Sequence, residues 1–324
     1  MCKSKSSFKI NQKKLEEICL MAYNGFLHSP MGKGIRQFLP EFNLPPELEN
    51  DPWTEEPQDS LKTARFLFLM ASMERRSQSN QNIKNALKTW ENPRLRWIFD
   101  QGEVARREPD EVFEVCKNSL KYTLSKFPLN YHFNSKVISS AYGNDPRKLI
   151  EGKTVSKAKS EIESFKGIGT GISNLFIHYY LNRRIAFPSD PENALLKVDI
   201  HKTRIPLNTD CVYIDQVSIR RDSLVQDLEI AYLDICLGTG INASLLDSIL
   251  WVIGSEGCSR KDYRHCNAHC PLVEKCESYV PEDRETGEML VYTEIDGRKV
   301  RSDLRKNRGQ ESFLKVILPD QFSR

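Results

Sequence analysis

Four cysteines crowd the last quarter of the chain, Cys258, Cys266, Cys270 and Cys276, with seven, three and five residues between them. Thiolates are soft ligands, and four in one loop are a donor set for zinc or iron. No pair has the CxxC spacing of zinc fingers and ribbons. Thiolates arriving singly from one loop suit the corners of a [4Fe–4S] cluster. Zinc, with His265 and His269 as substitute ligands, is the alternative. The remaining cysteines, Cys2, Cys19, Cys116, Cys211 and Cys236, are scattered. The N-terminus, MCKSKSSFKINQKK, is polar and has no apolar signal segment, so a reducing, cytoplasmic setting is expected. There, clustered thiols are metal ligands rather than disulfides.

A second constellation lies upstream. FKGIGTGIS, residues 165–173, places Gly167, Gly169 and Gly171 in a five-residue window ahead of an apolar run at helical spacing. Glycine costs about 1 kcal/mol relative to alanine inside a helix, so three of them predict a tight turn feeding a helix start. Exposed backbone N–H groups and the positive end of the helix dipole suit such a turn to a phosphate oxygen. Asp199 follows in LLKVDIHKTRI, after an apolar stretch. A carboxylate there could steady a cation developing on a sugar ring, and it is equally what a helix N-cap requires.

These groups need a scaffold, and the sequence predicts a helical one. The chain has 324 residues, 39% hydrophobic and 28% charged, with net charge +3, which excludes neither a globular core nor a nucleic-acid partner reached through local charge. No run of about 18 apolar residues occurs, so no membrane contact is expected. Leu15, Ile18, Cys19 and Ala22 recur at helical steps. A Pro-rich connector follows, to about residue 60. Residues 61–87 read as helix, polar loop (ERRSQSNQ) and helix. Near the C-terminus, Asp296-Gly297 between alternating segments predicts a small β-hairpin. The expected class is all-α.

The ordered set of Gly-rich hairpin, Asp and four-cysteine loop resembles the helix-hairpin-helix (HhH-GPD) DNA glycosylase superfamily. The similarity is to its iron–sulfur branch, with endonuclease III and the adenine- and thymine-mismatch glycosylases. The family's LPGVGRKTA is similar to FKGIGTGIS, and its VDTHVxR to VDIHKTR at 198–204. Its apolar helix ending in glycine before the first cluster cysteine is similar to LLDSILWVIGSEGC, ending at Cys258. The cysteine loop carries one extra residue in each of its first two gaps against the family's C-x6-C-x2-C-x5-C.

The resemblance spans about 61–276 and implies a two-lobed fold, with a six-helix barrel (61–200) and a cluster lobe (201–280) joined by the N-terminal helix; outside it the sequence reads as an N-terminal helix and connector (1–60) and a basic extension (281–324). It implies a monomer that binds double-stranded DNA in the nucleoid and flips a base between the lobes. Asp199 would be catalytic, with Asp190 the alternative; Cys258, Cys266, Cys270 and Cys276 would hold a structural [4Fe–4S] cluster. Lys166, Gly167, Gly169, Thr170 and Gly171 would form the DNA-binding hairpin. Bifunctional members carry a lysine nucleophile where Gly171 stands, which implies base hydrolysis without strand cleavage. The alternatives are a displaced lysine nucleophile (Lys197 or Lys202) and a DNA-binding protein without catalysis. The family's wedge loop corresponds to ERRSQSNQ, where Arg75, Arg76 or Gln78 would fill the gap left by the flipped base. Glu74 is a candidate acid on a purine leaving group. Arg298, Lys299, Arg301, Arg305, Lys306 and Arg308 face one acid, Asp303, and make a phosphate-contact patch. Forty-four residues after 280 are too few for the C-terminal domain of the adenine-mismatch enzymes.

Overall fold

The computed structural model describes residues 8–26, 28–29, 39–48, 59–74, 79–214, 218–258, 263–276, 292–295, 298–304 and 313–317. The chain is mostly helical. In order the helices are α1 (Gln12–Phe26), α2 (Ser60–Met73), α3 (Ser79–Glu91), α4 (Gln101–Arg106), α5 (Pro109–Asn118) and α6 (Phe127–Tyr142). Then come α7 (Val155–Glu163), α8 (Thr170–Asn182), α9 (Ile200–Asn208), α10 (Arg221–Thr239), α11 (Ala243–Val252) and α12 (Tyr263–His269). Two compact units divide the chain: residues 34–197, and residues 1–33 with 198–324. Among the described residues, no helix is long and apolar enough to cross a membrane.

In the unit 34–197, α2 is the central element. Asp59 caps it, its Oδ1 accepting from Lys62 N at 2.9 Å. Nine of its fourteen residues are buried, and a helix without a polar face belongs inside a core. Its aromatic side chains organise the packing. Phe66 stacks on Phe99 at 5.2 Å and meets Trp90 edge-on at 5.7 Å. Phe68 meets Phe165 and Phe176 edge-on at 6.0 and 5.8 Å. These offset geometries suit the aromatic quadrupole. Tyr180 on α8 closes the layer by donating to the carbonyl of Ala64 at 2.6 Å. The core thus reaches from α2 directly to the helix that follows the Gly-rich turn.

In the other unit, α1 buries the stripe Leu15, Ile18, Cys19, Ala22 and Phe26 against α10 and α11, as its periodicity predicts. Two small antiparallel sheets join it. β1 (Phe8–Ile10) pairs with β2 (Val212–Ile214). β4 (Tyr292–Ile295) and β5 (Arg298–Leu304) pair with Ile295 opposite Arg298, leaving Asp296 and Gly297 between the paired ends. The expected hairpin is therefore present. It extends into a four-stranded sheet, because β6 (Phe313–Ile317) pairs with both β5 and β3 (Ser218–Arg220). Of the basic run, Arg298, Lys299 and Arg301 fall on β5, whereas Arg305, Lys306 and Arg308 lie outside the described residues.

Candidate functional site

The Gly-rich segment is a turn between α7 and α8. Gly167 has φ +81°, a left-handed conformation that favours glycine, and an added Cβ would stand 2.7 Å from Asn130 Nδ2. Gly169, extended at φ −119°, is the N-cap of α8. Thr170 and Gly171 occupy the first turn of α8, where amides lack an intrahelical acceptor. The turn is fixed from behind by one buried side chain: Asn134 on α6 accepts from Lys166 N at 2.9 Å and donates to Lys166 O at 3.0 Å. Ser173 bridges the two helices, donating to Glu163 Oε1 at 3.0 Å. The Lys166 ammonium rests 3.5 Å from the centre of the half-exposed Phe133 ring.

In front of the turn is an open cavity of about 490 Å³, lined by Glu74, residues 167–172 and Lys197. A Cβ at Gly171 would lie 3.8 Å from Lys197 Cε, an ordinary van der Waals distance. A methyl group at Gly171 would thus fit beside the lysine stem without displacing it. Of the expected wedge residues, Arg75, Arg76 and Gln78 lie outside the described residues; Glu74, at the C-cap of α2, borders the cavity.

Asp199 is the N-cap of α9, its Oδ1 accepting from His201 N at 2.9 Å and Lys202 N at 3.1 Å. Asp190 has a different commitment: its Oδ1 accepts from Val155 N at 2.6 Å, pinning the start of α7. Lys202, named beside Lys197 as a displaced nucleophile, is buried with its Nζ 2.5 Å from Asp247 Oδ1 on α11. An amine sealed in such a pair cannot reach a substrate. His201 stands edge-on to Trp251 at 5.7 Å between ring centroids. Burial pushes its imidazole below the ordinary range; the Asp199 carboxylate opposes that shift, and Arg204 adds to it.

The far end of α9 faces the cysteine loop. Cys258, closing the π-helical turn Ile253–Cys258, has a hydrogen bond with Asn208 and feels the charge of Arg204. Burial still pushes its thiol up. Cys270 is pushed up further, first by burial and then by Cys258, with Cys266 and Cys276 adding to it. Among the described residues no three His, Cys, Asp or Glu side chains converge as a metal-binding group. The four sulfurs nevertheless share one electrostatic neighbourhood, and none is in a disulfide. His265 and His269, 4.7 Å apart between ring centroids, belong to α12 in the same loop. α1 buttresses it: Glu17 pairs with Lys275 at 2.7 Å, and a Cβ at Gly25 would lie 3.1 Å from Pro271 Cβ.

Asn134, Asn130 and the Gly171–Lys197 contact have no signature in the sequence, because each reaches the turn from a distant element. The chain matches no protein-family model and, at the significance required, no curated protein.

Proposed function

We propose that this chain is a DNA N-glycosylase that hydrolyses the N-glycosidic bond of a damaged, mismatched or modified base flipped out of a duplex, as a step of base-excision repair. The observation that carries the reading is the Gly-rich turn. It places the first-turn amides of α8 at the edge of an open cavity that also receives Glu74 and Lys197, with Asp199 two residues further along the chain. Backbone amides at a helix start hold a phosphate. Asp199, at the head of α9, steadies the oxocarbenium character that develops as the bond breaks, and orients the attacking water. Asp190, spent on pinning α7, is the weaker candidate. Cys258, Cys266, Cys270 and Cys276 would hold the [4Fe–4S] cluster, a structural group that keeps the loop shaped; zinc is the alternative ion.

The test is release of free base from duplexes carrying uracil, thymine mismatches, alkylated purines and oxidised bases, with and without hot alkali. Release that vanishes in Asp199→Asn and needs alkali for strand scission supports the reading. No release from any duplex, with salt-sensitive binding intact, favours a binding protein without catalysis.

One observation favours a second reading. Lys197 lines the same cavity as Gly171, so its amine could condense with the aldehyde of an abasic site, expelling water to form an imine. Borohydride trapping of the protein on abasic DNA, abolished in Lys197→Met, would support strand cleavage as well as base release.

A further inference from the structure

A second cavity, of about 470 Å³, opens on the same unit between α3 and the chain that follows α5. Its rim carries Lys84 and Lys88 from α3 and Lys121 from the segment after α5. No carboxylate lines it, and none of the three lysines forms an ion pair with a described residue. Lys84 and Lys88 are i,i+4 neighbours, a like-charge spacing that costs an isolated helix a few tenths of a kcal/mol. Lys121 sits at φ +54°, where glycine would be easier to accommodate. Three cations are thus kept together at some expense to local stability.

The floor between them is polar and prearranged. Asn85 is buried, donating to Leu120 O at 3.1 Å and accepting from Gln81 Nε2 at 3.0 Å. Thr89 donates to Asn85 O at 2.7 Å. Glu114 touches the lining from outside, accepting from Asn118 Nδ2 at 2.6 Å. The groove shares no lining residue with the cavity in front of the turn, but its Lys121 is followed in the chain by Tyr122, which lines a shallow pocket beside the turn. Gly167 and Ile168 border both the cavity in front of the turn and a shallow pocket that includes Lys166 and Tyr122.

We propose that this groove is a phosphate-binding track which continues the turn's DNA contact along the flanking backbone, with Lys84, Lys88 and Lys121 each neutralising a phosphate. It rests on the DNA-binding reading above and adds a contact region to it. Contacts of this kind position the duplex without reading its sequence.

The experiment measures duplex affinity against salt for wild type, Lys84→Gln/Lys88→Gln/Lys121→Gln, and the exposed-lysine control Lys148→Gln, after checking that all three melt alike. The track requires the triple variant to lower the slope of log K against log salt by about 0.9 for each phosphate that a lysine no longer neutralises, up to roughly 3, equally on every sequence. The control must not change. Base release by saturating enzyme in a single turnover must also stay at the wild-type rate. Slope and affinity equal to wild type overturn the track while leaving the glycosylase reading intact. Wild type without salt-sensitive DNA binding overturns both. Calorimetric titration with adenosine monophosphate and with pyrophosphate separates the other source of phosphate. Binding abolished in the triple variant, with an unchanged DNA slope, assigns the groove to a free nucleotide and overturns the track.

Discussion

Lys202 Nζ and Asp247 Oδ1 lie 2.5 Å apart with both side chains almost wholly removed from solvent, joining α9 to α11. Removing one partner of a buried pair strands the other charge, a loss of about 3–5 kcal/mol, whereas apolar replacement of both is often neutral. Asp247→Ala should therefore lower the urea midpoint severely. The double variant Lys202→Met/Asp247→Leu should recover most of it. Equal losses in the two variants would show that packing, not the pair, carries the stability.

Asp199 caps α9, and the proposed function gives its carboxylate a second duty that substitution can separate from the first. Asparagine caps a helix about as well as aspartate, but alanine costs about 1 kcal/mol at an N-cap. Asp199→Asn should melt like wild type yet lose base release by roughly 100- to 1000-fold, the scale seen when one electrostatic stabiliser is removed. Asp199→Ala should lose both. A fully active Asp199→Asn enzyme would leave the carboxylate a cap and nothing more.

Three glycines should respond differently to a methyl group. At Gly169 an added Cβ meets nothing within 4 Å, so Gly169→Ala should fold normally but weaken DNA binding at the cavity edge. Gly167→Ala should cost about 1–2 kcal/mol, since φ +81° disfavours a side chain and Asn130 must shift. Gly254→Ala should be worst: its Cβ would sit 2.2 Å from the carbonyl oxygen of His201, so backbone must give way, at about 3 kcal/mol. Thermal melts of the set would check the order.

Burial holds His201 and His132 below the ordinary imidazole range. Once unfolded, each takes up a proton near pH 6.5, so between that pH and the lowered folded value the unfolded chain binds more protons. This part of the stability is complete above about pH 6.5, declines as the pH falls through the folded values, and then levels off. His201→Gln should show a smaller drop in urea midpoint between about pH 7.5 and 5 than wild type. An identical drop would place the sensitivity elsewhere.

Features set by neighbours in the chain were legible from composition and spacing. The α1 stripe, the Gly-rich turn, Asp199 as a helix cap and the Asp296-Gly297 hairpin each follow from residues within one or two turns of one another. What pairing across the chain decides was not. Asn134 grips Lys166 from 32 residues away, and Lys202 meets Asp247 across 45. Neither partner has a local pattern that announces the other. The sheet was half legible for the same reason: β4 and β5 are close neighbours in the chain, but β3 and β6 pair with α10, α11 and α12 lying between them in sequence.

α9 is nine residues long, about 13 Å, and carries Pro206 within it, which removes one hydrogen bond of the helix ladder. Its first turn is tied to Asp199 and its last residues touch Cys258. It links the carboxylate at its head to the cysteine loop at its foot. A disturbance of the loop that moves Asn208 therefore reaches the head of α9 through this one helix, and on the proposed reading the cysteine ligands help place a carboxylate they never touch.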